Sequence, residues 1–288
     1  MQQGIHTISF VGLGLIGASL MQALKRAAEA TGRKIEMIGF DPGFDAGDIA
    51  AITGKCGLDR FEPNPAKLYD ADLVVLCAPV VTNIALLDEV KPHIRKETVV
   101  SDVSSTKAEI ATRARELGIE FIGMHPIAGR EQQGYRAASP ELLDGRLVIL
   151  CADCTNPETA RAAELAGLLR DSGCRPLFMS PEEHDRVYAN ISHLPQLVST
   201  ALMEHCRENV AWGGPGFASM ARLAGSPWAV WRDIVETNRD NIADELEAFS
   251  ALLAEVAGEV RSGNFEALEA KFREANDLYQ RLQERSGA

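Results

Sequence analysis

Short apolar runs rich in β-branched residues recur along the first two-thirds of the chain, separated by helical patterns. Such runs are typical of strands that are buried on both faces of a sheet. Their alternation with helices predicts βαβ units, an α/β fold and a mainly parallel sheet. The predicted strands are Ile5–Val11, Ile35–Phe40, Leu73–Cys77, Thr98–Ser101, Glu120–Met124 and Leu147–Cys151, and helices are predicted at 15–30, 81–91, 106–117 and 157–171.

The pattern changes near residue 180. Ser180 can cap a helix, Pro181 suits its first position, and Glu183 completes a capping box. No strand pattern follows, and apolar residues recur at helical spacing over 242–260 and 265–282. We therefore predict two domains, 1–180 with the sheet and 181–288 entirely helical. The apolar rows exceed what one short helical layer can bury, so we expect a homodimer.

Composition narrows the class of protein. With 46% hydrophobic and 24% charged residues, the 288-residue chain is typical of a globular protein. The net charge of −12 argues against binding nucleic acid. We find no apolar run near the ~18 residues of a membrane span and no signal peptide, and we expect a cytoplasmic protein. Cys151 and Cys154 form a CxxC without a second ligand pair, so we predict buried thiols and no metal site.

The first predicted strand is followed by GLGLIG at residues 12–17 and then by a helical pattern. In this context the motif predicts a dinucleotide-binding turn. Gly12 permits the tight turn, Gly14 lets the backbone approach a pyrophosphate, and Gly17 lets the helix pack closely. Leu15 and Ile16 would open the helix whose N-terminus faces the phosphates. An ordinary strand–turn–helix corner is the alternative.

Asp41 ends the second predicted strand, near the ~20-residue distance at which such motifs carry a ribose-binding acid. A carboxylate there accepts hydrogen bonds from a ribose hydroxyl and repels a 2′-phosphate. No lysine or arginine follows closely. The sequence therefore favours NAD over NADP, although Asp41 also suits a simple turn before Pro42.

Polar residues follow two later strands, at the edge where open α/β sheets bind ligands. Thr106 and Glu109 form a capping box, which explains part of this string. Lys107 stands where a helix dipole disfavours a cation, which suggests anion binding. His125 is a candidate general base because a neutral histidine suits that task near pH 7. In the helical part, Arg222 could bind a carboxylate through its guanidinium fork.

Five strings together resemble the prephenate/arogenate dehydrogenase family of tyrosine biosynthesis. They are VGLGLIGASL (11–20), SDVSSTK (101–107), HPIAGRE (125–131), ISHLP (191–195) and MARLAGSPWAVWRDI (220–234). The resemblance implies a Rossmann-type domain followed by a helical dimerisation domain. It also implies NAD-dependent oxidative decarboxylation of prephenate to 4-hydroxyphenylpyruvate, or of arogenate.

The resemblance also implies roles for individual residues. His125 would be the catalytic histidine, and Ser105, or Ser104 in an alternative register, would lie near the ring hydroxyl. Arg222 would bind a substrate carboxylate, with Lys107 as a second cation. His193, Glu131 and Trp231 would line the substrate side. Arg130 beside Glu131 would repel the ammonium of arogenate, so we expect a preference for prephenate.

Two other functions fit parts of the sequence. A β-hydroxyacid dehydrogenase shares the architecture, but it would leave His125 in HPIAG unexplained. A protein that senses NAD without catalysis would keep the glycine motif and Asp41, but it need not place His125 near the nicotinamide.

Overall fold

The computed structural model describes residues 4–130, 132–152 and 159–286, so Glu131 and Cys154 lie outside the described residues. Eight strands form one sheet in the order β3-β2-β1-β4-β5-β6-β7-β8, and all neighbours are parallel except β6 and β7. The strands are β1 Thr7–Val11, β2 Glu36–Phe40, β3 Arg60–Phe61, β4 Leu73–Leu76, β5 Val99–Asp102, β6 Phe121–Pro126, β7 Leu147–Cys151 and β8 Arg175–Met179.

Helices lie between most of these strands, as the alternating pattern predicts. They are α1 Leu15–Ala30, α2 Ala46–Lys55, α3 Pro65–Leu68, α4 Val80–Val90, α5 Ala108–Glu116 and α6 Ala160–Asp171. Apolar residues of the strands alternate between two buried clusters, as in β4, where Leu73 and Val75 belong to one cluster and Val74 and Leu76 to the other. The sheet is therefore covered by apolar side chains on both faces, which explains its continuous hydrophobic strands.

Strand order reverses between β1 and β4. The chain runs outward from β1 to β3 on one side, and then crosses to β4 and continues outward on the other. In open α/β sheets the crevice at such a switch point, beyond the carboxyl ends of the strands, is where ligands bind. This topology therefore places the turn after β1 and the turn after β4 side by side.

Two strands were not predicted, and both lie at an edge of the sheet. β3 has two residues and pairs only with β2. β8 begins Arg175-Pro176 and pairs only with β7, and its Leu177 is exposed. Proline is tolerated in edge strands because one side of the backbone needs no ladder partner.

The chain after β8 is helical throughout the described part. The helices are α7 Pro181–Tyr188, α8 Leu194–His205, α9 Pro215–Ala221, α10 Trp228–Thr237, α11 Arg239–Ser262 and α12 Phe265–Ser286. A π-helical turn, Ala189–His193, joins α7 to α8. Ser180 Oγ accepts from Glu183 N at 3.0 Å, which confirms the predicted start of α7.

By its internal contacts the chain forms two compact units, Met1–Arg239 and Asp240–Ala288. The second unit consists of most of α11 together with α12, and both predicted apolar rows lie on these helices. The domain boundary at residue 180 stays a prediction. Within the described residues, no helix combines the length and the hydropathy that crossing a membrane requires.

Candidate active site

The turn between β1 and α1 has the shape that its glycines predict. Gly12 adopts φ +96°, a conformation that L side chains rarely adopt. A Cβ on Gly17 would lie 2.5 Å from the Gly12 carbonyl oxygen and 2.9 Å from Cys77 Cβ, so the close packing of α1 requires glycine there. A Cβ on Gly14 would meet nothing within 4 Å, so this residue borders open space.

The N-terminus of α1 opens onto a cavity at the switch point. Gly14 is the N-cap residue, no side chain caps the helix, and its first turn contains no acidic residue. The first amides of a helix lack intrahelical partners and attract anions. The cavity, about 610 Å³ in volume, is lined by Gly14, Leu15, Ile16, Cys77, Ala78, Pro79, Val80, Val103, Ser104, Ser105, Gln133, Gly134, Pro227, Ala229, Val230, Asp233 and Ile234.

Asp41, directly after β2, lies beside this turn. Its Oδ2 accepts from Leu13 N at 2.8 Å, and its Oδ1 accepts from Gly43 N at 2.9 Å. These bonds fix the carboxylate while each oxygen keeps a further lone pair for a hydroxyl donor. Its negative charge opposes a 2′-phosphate. Together with the uncapped helix and the cavity, these residues fit a dinucleotide that carries a free ribose hydroxyl.

His125 lies at the carboxyl end of β6, half-buried. Its Nδ1 is 2.8 Å from Nε2 of His184, which the sequence had left without a function. Burial, together with the electrostatic effect of Lys107 and of the neighbouring His184 and His193, lowers the pKa of His125 well below its usual value. The imidazole is therefore neutral at pH 7 and can act as a base through Nε2, the nitrogen that His184 does not engage.

Helix α7 supplies a carboxylate to the start of α5. Asp185 Oδ1 accepts from Lys107 N at 2.7 Å, and Oδ2 accepts from Ala108 N at 2.8 Å. The predicted capping box of Thr106 and Glu109 is wrong. Lys107 is the N-cap residue, without a side-chain cap, and Thr106 Oγ1 instead lies 2.7 Å from Thr237 Oγ1. A carboxylate from a distant segment therefore accepts the hydrogen bonds that a local cap would have accepted. The helix dipole favours a negative charge at this position.

Lys107 is fully buried and forms an ion pair within the protein. Its Nζ donates to Asp102 Oδ2 at 2.5 Å, and both side chains are completely inaccessible to solvent. Asp102 Oδ2 also accepts from Ser104 N at 3.0 Å. The structure thus gives this lysine an internal partner, where the sequence predicts a cation for the substrate.

The two candidate serines differ in their contacts, although both line the cavity. Ser104 is buried, and its Oγ accepts from Asn83 Nδ2 at 2.9 Å. Ser105 is half-buried, and no hydrogen bond to its hydroxyl occurs among the described residues. Ser105 therefore has the hydroxyl that a ligand can engage.

His193 and Trp231 lie against each other in the helical part. His193 is in the π-helical turn, where its Nδ1 is 3.2 Å from Asn238 Nδ2. The ring of Trp231 meets it edge to face at 5.9 Å. Burial lowers the pKa of His193 to about 4, so the ring is neutral at pH 7.

Arg222 occupies a short 3₁₀ turn, Arg222–Gly225, and is exposed. Among the described residues no carboxylate pairs with its guanidinium. The structure brings His125 together with Lys107 through His184 and Asp185, and it places Ser105 at the cavity. Arg222 is outside the cavity lining, as are His125, His193 and Trp231. The adjacent His184-Asp185 pair in the middle of α7 was the one sequence signal that could have revealed the missed residues.

The fold and the cavity at its switch point are those of a dinucleotide-binding oxidoreductase. A family model described as "Prephenate dehydrogenase, nucleotide-binding domain" matches residues 24–176, and one described as "Prephenate dehydrogenase, dimerization domain" matches residues 180–274. The chain belongs to the prephenate dehydrogenase family, which confirms the resemblance and the predicted fold class.

Several relatives match nearly the whole chain. The prephenate dehydrogenase of Bacillus subtilis is 32% identical over 96% of this chain and 76% of its own length. The structure of A. aeolicus prephenate dehydrogenase in complex with hydroxyphenyl propionate and NAD⁺ is 26% identical, with a TM-score of 0.85 over 98% of this chain and 100% of that one. The Synechocystis arogenate dehydrogenase structure is 26% identical, with a TM-score of 0.83 over 94% and 97% of the two chains.

Proposed function

We propose that this protein catalyses the NAD-dependent oxidative decarboxylation of prephenate to 4-hydroxyphenylpyruvate, with His125 as the base. The observation that carries the proposal is a neutral histidine, held by a hydrogen bond, at the same sheet edge as a dinucleotide cavity. Family membership supports the same reaction. When bound, NAD⁺ accepts the hydride from the ring carbon that carries the hydroxyl.

His125 moves the proton in this reaction. Its Nε2 accepts the proton of the ring hydroxyl as that carbon is oxidised. The bond from the ring to its carboxylate then breaks, carbon dioxide leaves, and the electron pair of that bond makes the ring aromatic. The same nitrogen returns the proton to the phenolate oxygen. Aromatisation supplies much of the driving force, so the protein's main tasks are to provide a positioned base and to hold the ring.

Arg222 is the cation that we assign to a substrate carboxylate. Prephenate carries two carboxylates, and a chain with a net charge of −12 needs dedicated cations to bind them. Arg222 is exposed and has no carboxylate partner among the described residues, whereas Lys107 already pairs with Asp102. We assign Ser105 to the ring hydroxyl, and His193, Trp231 and Glu131 to the substrate side.

Prephenate is preferred to arogenate in this proposal. The two substrates differ in the side chain, a keto group in one and an ammonium in the other. Arg130, which precedes Glu131 in the sequence, is exposed, and its positive charge opposes an ammonium. Relatives include a B. subtilis prephenate dehydrogenase and a Zymomonas mobilis cyclohexadienyl dehydrogenase, so activity on arogenate is part of the test.

The protein acts as a homodimer in the cytoplasm in this proposal. The second unit exposes a series of large apolar side chains, and isolated domains rarely leave such a surface uncovered. They are Leu252, Leu253, Val260, Phe265, Phe272, Leu278 and Leu282, exposed by 44% to 75%. The match of residues 180–274 to the dimerization-domain model supports a second copy as the partner.

The test measures NADH formation from NAD⁺ with prephenate and, separately, with arogenate. We expect a higher kcat/KM with prephenate and a loss of about 10²–10⁴-fold in kcat for His125→Asn. His205→Asn, at an exposed histidine, is the matched control and should keep full activity. Binding of NAD without turnover of either substrate would support a sensor instead. Turnover of a β-hydroxyacid alone would identify the other dehydrogenase class.

A further inference from the structure

Three hydrogen bonds in series connect the start of α5 to His125. The amides of Lys107 and Ala108 donate to Asp185. Asp185 Oδ1 is 2.8 Å from His184 Nδ1, and His184 Nε2 is 2.8 Å from His125 Nδ1. His184 and Asp185 are both buried, so water does not compete for these bonds. The proposed base is thus the end of a chain of groups that begins at a helix N-terminus.

The chemistry of each group fixes the position of each proton. A carboxylate only accepts hydrogen bonds, so the nitrogen of His184 that faces Asp185 must carry a hydrogen. A neutral imidazole has one N–H, and the Nε2 of His184 is therefore an acceptor. His125 Nδ1 must then donate to it. This leaves the lone pair of His125 on Nε2, the nitrogen that the proposed reaction uses.

Burial supports this assignment of protons. The pKa of His184 is lowered, first by burial, while its bond to Asp185 opposes that effect. A neutral His184 can serve as the acceptor, whereas an imidazolium could not. The ring of Tyr188 stacks on His184 at 4.5 Å and lies 4.8 Å from His125, which holds both rings in place.

We infer that His184 and Asp185 are positioning residues that hold His125 in the tautomer whose basic lone pair is on Nε2. The inference rests on the proposed function of His125. When His125 takes up a proton, its Nδ1–H keeps an acceptor in His184, whose other nitrogen faces the negative charge of Asp185. The two amides at the N-terminus of α5 in turn hold this carboxylate in place. A histidine oriented through a second group by a carboxylate is a recurring device of acid–base catalysis.

Two substitutions of His184 separate orientation from packing. His184→Phe fills the space but offers no acceptor to His125 Nδ1. His184→Gln offers an amide oxygen to His125 and an amide N–H to Asp185. We expect kcat to fall about 10- to 100-fold in the Phe variant, the scale for loss of a group that orients a histidine, and to recover largely in the Gln variant. KM for prephenate and the affinity for NAD should change less than threefold in both variants.

His205→Phe is the matched control, since it makes the same change at an exposed histidine, and it should behave as wild type. Unchanged kcat in a folded His184→Phe variant would overturn the inference. Equal losses in the Phe and Gln variants would overturn it as well, because packing alone would then account for them.

Nitrogen NMR of the histidine rings gives a readout that does not depend on turnover. In the wild-type protein we expect the proton of His125 on Nδ1, and in His184→Phe we expect it to shift towards Nε2. A protonated Nε2 on neutral wild-type His125 would overturn the inference. If the enzyme turns over no substrate but the NMR result holds, the proposed function fails and the hydrogen-bond chain stands.

Discussion

The buried imidazole of His193 makes the stability of the fold depend on pH. The residue is 1% exposed, and burial lowers its pKa to about 4. In the unfolded chain the same group has an ordinary pKa of about 6.5. As the pH falls, the unfolded state therefore takes up the proton first, and this favours unfolding.

The size of the effect follows from these two pKa values. At pH 5 the unfolded imidazole is almost fully protonated, whereas the folded one is about one-tenth protonated. The free energy of unfolding should therefore fall by about 2 kcal/mol between pH 7 and pH 5 through this residue alone. The loss begins near the unfolded pKa and is complete once the pH is below the folded value of about 4.

The substitution His193→Asn tests this reasoning. The asparagine oxygen can accept the bond from Asn238 in place of Nδ1, but it does not titrate. Urea unfolding at pH 7 and pH 5, at one protein concentration, should show that wild type loses about 2 kcal/mol more than the variant. His125 and His184 are present in both proteins, so their contributions to the pH dependence cancel in the comparison. His205→Asn should behave as wild type, and equal losses in wild type and His193→Asn would refute the reasoning.

Three further predictions concern the cofactor, the substrate and assembly. Wild type should have a lower kcat/KM with NADP than with NAD, and Asp41→Asn should narrow the difference because it removes the charge that repels a 2′-phosphate; equal efficiency in wild type would contradict this. Arg222→Ala should raise KM for prephenate about 10- to 100-fold, the worth of a charged hydrogen bond, with NAD affinity unchanged. Arg207→Ala is its control, and an unchanged KM in Arg222→Ala would mean that another residue binds the substrate carboxylate. Sedimentation at micromolar concentration should show two copies, and Phe272→Glu should shift the protein towards the monomer; a wild-type monomer would exclude the dimer.

Much of the sheet could be predicted because its strands are buried on both faces. The six predicted strands are the interior strands of the sheet, where apolar runs are continuous. β8 escaped prediction because an edge strand has less need of apolar residues, and Arg175-Pro176 interrupts its pattern. β3 is too short to leave a hydrophobic pattern at all.

The candidate site likewise contains a residue that the sequence could predict and partners that it could not. His125 could be found because it follows a strand at the ligand-binding edge, and a local rule covers that position. Its partner His184 is 59 residues away in the sequence, so no spacing rule connects them. The start of α5 was mispredicted for the same reason, because a tertiary carboxylate, Asp185, replaced the local cap at Thr106.

The capping of α5 by Asp185 has a consequence for anyone who recombines this protein with its relatives. A crossover at the predicted boundary, residue 180, would join α5 and His125 from one parent to His184 and Asp185 from another. The activity of such chimeras would then depend on whether the two parents form these hydrogen bonds with the same geometry. A junction after Tyr188, at the end of α7, would inherit the whole chain of bonds from one parent. Libraries built with the later junction should therefore contain the larger fraction of active members.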